Sequence, residues 1–174
     1  MNDFKFSTLQ YERPDFAKFS AFEDEMLEKI KNANSYEELQ HYITKFDKAN
    51  QELSTICTIA SIRHTLDTTD KFYEQEDEYI NDMIPTLIPQ MVAINDAILN
   101  SKFRDDVEKE FGKQYFTAME LQKKAFCEEN IPLMQQEAKL TNEYQKIMAT
   151  AAIEFHGETL NLYGVQKYFE ACAS

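Results

Sequence analysis

Apolar residues recur at intervals of three and four along most of this 174-residue chain, the spacing that gathers them on one face of an α-helix. The most regular run is Tyr36, Leu39, Ile43, Phe46, Asn50, Leu53, Cys57, Ala60 and His64. It predicts a long bundle helix packed along its length against a neighbour. Upstream, Phe16, Phe19, Phe22, Met26 and Ile30 make the face of a helix that starts at Pro14 or Asp15 and ends near residues 32–34. Downstream, a third helix follows Asp67-Thr68-Thr69-Asp70 and carries Tyr73, Ile80, Ile84, Leu87, Met91, Ile94 and Ile98 on one face. Pro85 and Pro89 fall inside it, each removing an amide donor and crowding the turn before it, so a kink is expected there. Two long helices joined by so short a link are expected to form an antiparallel hairpin.

The punctuation between these stripes is consistent with that reading. Ser35-Tyr36-Glu37-Glu38 has the form of a capping box, in which Ser35 accepts from the Glu38 amide while the Glu38 carboxylate reaches back. Before the first helix, residues 4–11 alternate loosely and end at Arg13-Pro14-Asp15. Pro14 holds Arg13 extended, which predicts an arm. After the third helix, shorter ones are expected over residues 101–111, with Gly112 as C-terminal cap, and over 114–126. A last long helix from about Pro132 carries Leu133, Leu140, Tyr144, Ile147 and Ala151 on its stripe. The period then changes. In residues 153–162, apolar positions alternate on both sides of a turn containing Gly157, a β-hairpin signal. One more helix begins near Val165. The expected fold is therefore mostly α, an antiparallel long-helix hairpin or bundle with a small C-terminal β-hairpin. Residues 1–152 form a helical lobe with its arm, and residues 153–174 the hairpin and the start of a further helix.

Composition narrows the function classes. Three Gly and four Pro leave few turns, as long helices require. Eighteen basic against 31 acidic residues give a net charge of −13, a field that repels phosphate backbones and anionic lipid and disfavours nucleic acid or a membrane surface as partner. No stretch is apolar enough to span a bilayer, and residues 1–9 lack the apolar core of a secretory signal. Cys57, Cys127 and Cys172 are odd in number, scattered and without C-x-x-C spacing. They read as free thiols in a reducing, cytoplasmic compartment.

Candidate chemistry is sparse. The three histidines, His41, His64 and His156, include no pair at the one-turn spacing of H-E-x-x-H zinc sites. Glu38-Leu39-Gln40-His41 has the E-x-x-H spacing of carboxylate di-iron bundles, but those need two copies and two further glutamates. His64 falls on the core stripe and reads as a hydrogen-bonded core histidine, His156 as an exposed turn residue. There is no nucleophile elbow or Gly-rich phosphate loop. The run Glu74, Glu76, Asp77 and Glu78 reads as an exposed charged face rather than acid–base machinery. No catalytic, cofactor-binding or metal-binding residue is assigned.

Several segments taken together resemble a known family. The arm with Arg13-Pro14-Asp15, residues 60–73 (ASIRHTLDTTDKFY), Asn100-Ser101-Lys102-Phe103-Arg104 leading to Phe111-Gly112-Lys113, and Ile153-Glu154-Phe155-His156-Gly157-Glu158 leading to Leu160-Asn161-Leu162 are similar, in order and spacing, to oligoendopeptidase F proteins. These belong to the thimet oligopeptidase-like family of zinc metallopeptidases. The resemblance implies a helical N-terminal domain forming one wall of a peptide-accepting cleft and inactive alone. Zinc and H-E-x-x-H would lie in a missing catalytic domain that follows residue 174. The implied partners are that catalytic lobe and oligopeptide substrate. The alternative is a stand-alone helical module that binds peptides or proteins without catalysis. A fragment of this kind exposes surface its catalytic lobe would cover. Self-association through the hairpin and last helix is thus expected, and a strictly monomeric profile across concentrations in light scattering would contradict it.

Overall fold

The computed structural model describes residues 5–172, apart from the side chains of residues 128 and 170–172; Phe4 of the arm and the Cys172 thiol lie outside that description. A 3-10 turn at Phe6–Thr8 leads into α1 (Phe16–Lys31), α2 (Tyr36–Leu66), α3 (Lys71–Leu99), α4 (Arg104–Phe111) and α5 (Lys113–Ala125). A second 3-10 turn, Glu128–Asn130, precedes α6 (Ile131–Thr150). The hairpin strands β1 (Ile153–Phe155) and β2 (Glu158–Leu160) and then α7 (Leu162–Cys172) complete the order. None of these helices is long and apolar enough to cross a membrane.

The helix starts are built by side chains that accept from otherwise unpaired amides. Asp15 accepts from the Lys18 amide at 2.9 Å, Ser35 from Glu38 at 3.2 Å, and Asp70 from Phe72 at 2.9 Å and Tyr73 at 3.3 Å. The Glu38 carboxylate reaches back one residue further than a standard capping box, accepting from the Asn34 amide at 2.8 Å. Gly112 separates α4 from α5 at φ +84°, a backbone conformation that L side chains rarely adopt. The hairpin turn needs two such residues, and His156 at φ +50° with Gly157 at φ +80° supplies them. Phe155 therefore pairs with Glu158 and Ile153 with Leu160.

The core lies among the first five helices. Leu39, Ile43 and Phe46 of the long α2 stripe join Met26 and Ile30 of α1, Ile94 and Ile98 of α3, Val107 of α4 and Phe116 of α5 in one buried cluster. Leu53 and Ala60, further along the same stripe, join Phe16 and Leu87 in a second. Helix α3 runs unbroken through Pro85 and Pro89. Near Pro85, backbone carbonyls take side-chain donors: Met83 accepts from the Thr86 hydroxyl at 2.6 Å, and Asp82 from the Gln135 amide of α6 at 2.6 Å.

The arm is held by charge. Glu76, expected to be exposed, is 2% exposed. It accepts from Tyr11 at 2.7 Å and from Arg13 Nε at 3.0 Å, and the Arg13 guanidinium also lies over the Tyr79 ring. Arg13 beside it holds the Glu76 carboxyl below its usual range. Arg63 donates to the Leu9 carbonyl at 2.6 Å and to the Tyr73 hydroxyl. Arg63 and Tyr73 both come from residues 60–73, the segment most specific to the family resemblance; there they fasten the arm.

Glu23 of α1 is 1% exposed, and its Oε2 has no hydrogen-bond partner among the described residues. Burial pushes its carboxyl up to about 8, with Asp24 adding to the shift. The folded chain therefore keeps a proton that the unfolded chain, titrating near 4.3, has released. Stability falls as pH rises through that window and levels off above about 8. Glu23→Gln should be near neutral at about pH 5 and stabilise by at least about 1 kcal/mol at about pH 9 in thermal unfolding. An equal effect at both pH values would show that ionisation of Glu23 carries no such cost.

Candidate functional site

Helix α6 is amphipathic, and an apolar stripe ordinarily turns toward the core. Here it turns away. Leu133, Leu140, Tyr144 and Ile147 are 60%, 56%, 61% and 67% exposed, and α6 buries no residue fully. The partly covered positions are Ile131, Gln135, Ala138 and Asn142, which recur at helical spacing along the opposite face.

That opposite face meets an acidic row on α3. Gln135 donates to the Asp82 carbonyl, and Lys139 pairs with the Asp82 carboxylate at 3.0 Å. Asn142 donates to Asp77 Oδ2 at 2.8 Å, and Lys146 pairs with Glu74. Residue numbers rise along α6 as they fall along α3, so the two helices run antiparallel. Asp77 is buried and also accepts from Asn81 at 2.8 Å. Glu74 accepts from both Lys146 and Lys71, and these hydrogen bonds lower its carboxyl to about 2. The run 74–78 is thus no simple solvated face. Glu76 holds the arm, while Glu74 and Asp77 hold α6. Helix and acidic row face each other because opposite charges and amide donors are matched along the seam, which leaves the apolar stripe without cover.

A pocket of about 280 Å³ opens along the seam, lined by His64, Glu78, Asn81, Lys139 and Asn142 among others. His64 is 7% exposed, as its place on the core stripe predicts, but its Nδ1 has no partner among the described residues, contrary to the expected hydrogen-bonded state. His41 is exposed beside Tyr42, and His156 is exposed at the hairpin turn. Cys57 and Cys127 are free thiols, and burial pushes Cys57 up to about 11. Among the described residues, no group of three or more His, Cys, Asp or Glu side chains is placed to hold a metal. The residues present do not fit a zinc site.

Beyond α6, the hairpin and α7 form a small unit of their own. Val165 is buried, and the Phe155 and Tyr168 rings lie 5.1 Å apart. Tyr163 and Phe169 remain exposed. The apolar stripe was legible in the sequence. Which face of α6 would pack on α3 was not assigned, although the matched series Gln135, Lys139, Asn142, Lys146 and Glu74, Asp77, Asp82 was there to be read.

An uncovered apolar stripe of this kind is characteristic of surfaces that contact another element or chain. The sequence model of the Peptidase M3 N-terminal domain matches residues 6–126, and the chain belongs to that family. No curated protein matches it. An X-ray structure assigned as an oligoendopeptidase F is 33% identical over 95% of this chain, with a TM-score of 0.90. PZ peptidase A with a bound inhibitor is 34% identical over 95%, also at 0.90. A crystal structure assigned as an oligoendopeptidase F from Bacillus anthracis str. Ames is 30% identical over 93%, at 0.86. This chain spans 29%, 30% and 30% of those three solved chains.

The seam gives a direct check. Asn142→Ala should leave buried Asp77 with a single side-chain donor, at a cost of about 1–3 kcal/mol. Faster amide exchange in α6, with α1–α3 unchanged, is the expected signature. Uniform loss of protection would mean that α6 and the core open as one unit.

Proposed function

We propose that this chain is the non-catalytic N-terminal lobe of an oligoendopeptidase F-like zinc metalloendopeptidase that hydrolyses short peptides. In this reading residues 1–152 form one wall of the substrate cleft, and residues 153–174 lead into the catalytic domain, which carries the zinc. The carrying observation is the outward stripe of Leu133, Leu140, Tyr144 and Ile147 on α6, directly before the hairpin and α7. The similarity to three solved peptidase-type chains, each about three times as long, supports the same reading. Free Cys57 and Cys127 fit a cytoplasmic setting.

The chemistry assigned to this lobe is positional. A wall that packs against a catalytic lobe narrows the approach to the active site, admits extended peptides and excludes folded proteins. The lobe alone is inactive in this reading, and its uncovered stripe favours self-association at high concentration.

Mixing or fusing the chain with the catalytic remainder of a related peptidase tests the idea. Cleavage of oligopeptides, but not of folded protein, should rise on addition of the lobe. Leu140→Asp combined with Ile147→Asp should weaken that rescue about tenfold or more, because both charges would be buried unpaired at the contact. Equal activity with and without the lobe would sink the proposal and favour a stand-alone interaction module.

A further inference from the structure

Away from the α3–α6 seam, a separate pocket of about 230 Å³ lies between α2 and α3. Glu23 is its one contribution from α1. Ser54 and Ile84 on its rim are exposed, whereas Glu23 is almost wholly buried, so Glu23 forms the floor. The walls include Leu53, Leu87 and Met91. Three observations specify what belongs there. The Glu23 Oε2 atom is buried without a partner among the described residues, a condition that costs free energy until a donor is supplied. Asn50 donates one Nδ2 hydrogen to the Phe46 carbonyl at 3.3 Å, and its carbonyl oxygen can accept on the pocket side. No Lys or Arg lines the pocket, and the Ser54 and Thr58 hydroxyls at its edge can accept as well as donate, so a carboxyl and further acceptors stand around apolar walls with no cation of the chain's own.

We infer that this pocket binds a primary alkylammonium group, with the Glu23 carboxylate as anchor and Leu53, Leu87 and Met91 against the methylene stem. A compact ammonium carries three donors and no acceptor, which is the complement of this lining. The volume is below the range of about 300–1,000 Å³ typical of drug-sized ligands and suits a short stem. The net charge of −13 raises the local concentration of cations and disfavours anions. A free amine and the lysine side chain of a peptide share this chemistry. The inference does not rest on the peptidase reading.

Binding is linked to protons. The buried carboxyl holds its proton at neutral pH, and an ammonium at 3 Å scale separation favours the ionised form. One proton is therefore released for each cation bound near neutral pH, and affinity rises with pH until Glu23 is ionised in the free chain. The other titratable group on the lining is Cys57 of α2, whose raised thiol stays neutral over this range. Helix α3 contributes no titratable group to the lining, and Asp24, next along α1, accepts from Gln90.

The test is calorimetric titration of the 174-residue chain with n-butylammonium, with butan-1-ol as the neutral isostere and Nα-acetyl-lysine methylamide as the peptide-like probe, each in buffers of differing ionisation enthalpy. Butylammonium should bind with proton release, and butanol should not. Glu23→Gln should weaken binding about tenfold or more by removing the anchoring charge. Ser54→Trp, at an exposed rim position, should block the pocket while leaving Glu23 and the core intact, so the test survives a poorly folded Glu23 variant. Binding of both cations assigns the pocket to lysine side chains, and binding of butylammonium alone assigns it to free amines. Equal binding of butanol, binding unchanged in both variants, or no binding of either cation would overturn the inference.

Discussion

Helix α3 serves two unlike surfaces at once, and the rest of the architecture depends on that constraint. One face carries Ile80, Leu87, Ile94 and Ile98 into the core shared with α1, α2 and α5. Another carries Glu74, Asp77 and Asp82 to α6, and between them Glu76 receives the arm. Apolar contacts tolerate small shifts, whereas buried carboxylates demand particular donors at particular distances. The acidic residues of α3 therefore fix where the arm and α6 can lie.

The same constraint accounts for the outward stripe. Once α6 meets α3 through amides and lysines, its apolar residues are left without cover among the described residues. The Asp82 carbonyl, one turn before the prolines' stretch of α3, also takes a donor from Gln135, which ties α6 to that turn. A polar seam carries less free energy than an apolar one, since exposed ion pairs gain little over hydration. Helix α6 is thus held in register, but more weakly than the helices of the core.

Membership of the Peptidase M3 N-terminal domain family accords with this economy. The family match ends at residue 126, close to the end of α5 and of the well-packed core. The structural likeness continues over 93–95% of the chain, through α6 and beyond. The self-contained core and the outward-facing portion are therefore distinct in packing, though continuous in fold.

The helices themselves were legible in the sequence. The stripe from Leu39 to His64, the caps at Asp15, Ser35 and Asp70, and the positive-φ turn at Gly157 each follow from local spacing or from one residue's backbone freedom. The ordered set of resembling segments, most specific over residues 61–73, likewise gave the family from the chain alone. Tertiary structure decided the rest. Glu76 and Asp77 look like solvated charges until Arg13 and Asn142, more than sixty positions away, are brought to them. Glu23 looks like one more surface glutamate until α2 and α3 close over it, and the stripe of α6 looks like core until the seam turns it outward. Local patterns set which elements form, because they act over one or two turns. Burial of a charge and the orientation of an amphipathic helix depend on partners distant in sequence, and only the folded arrangement supplies those.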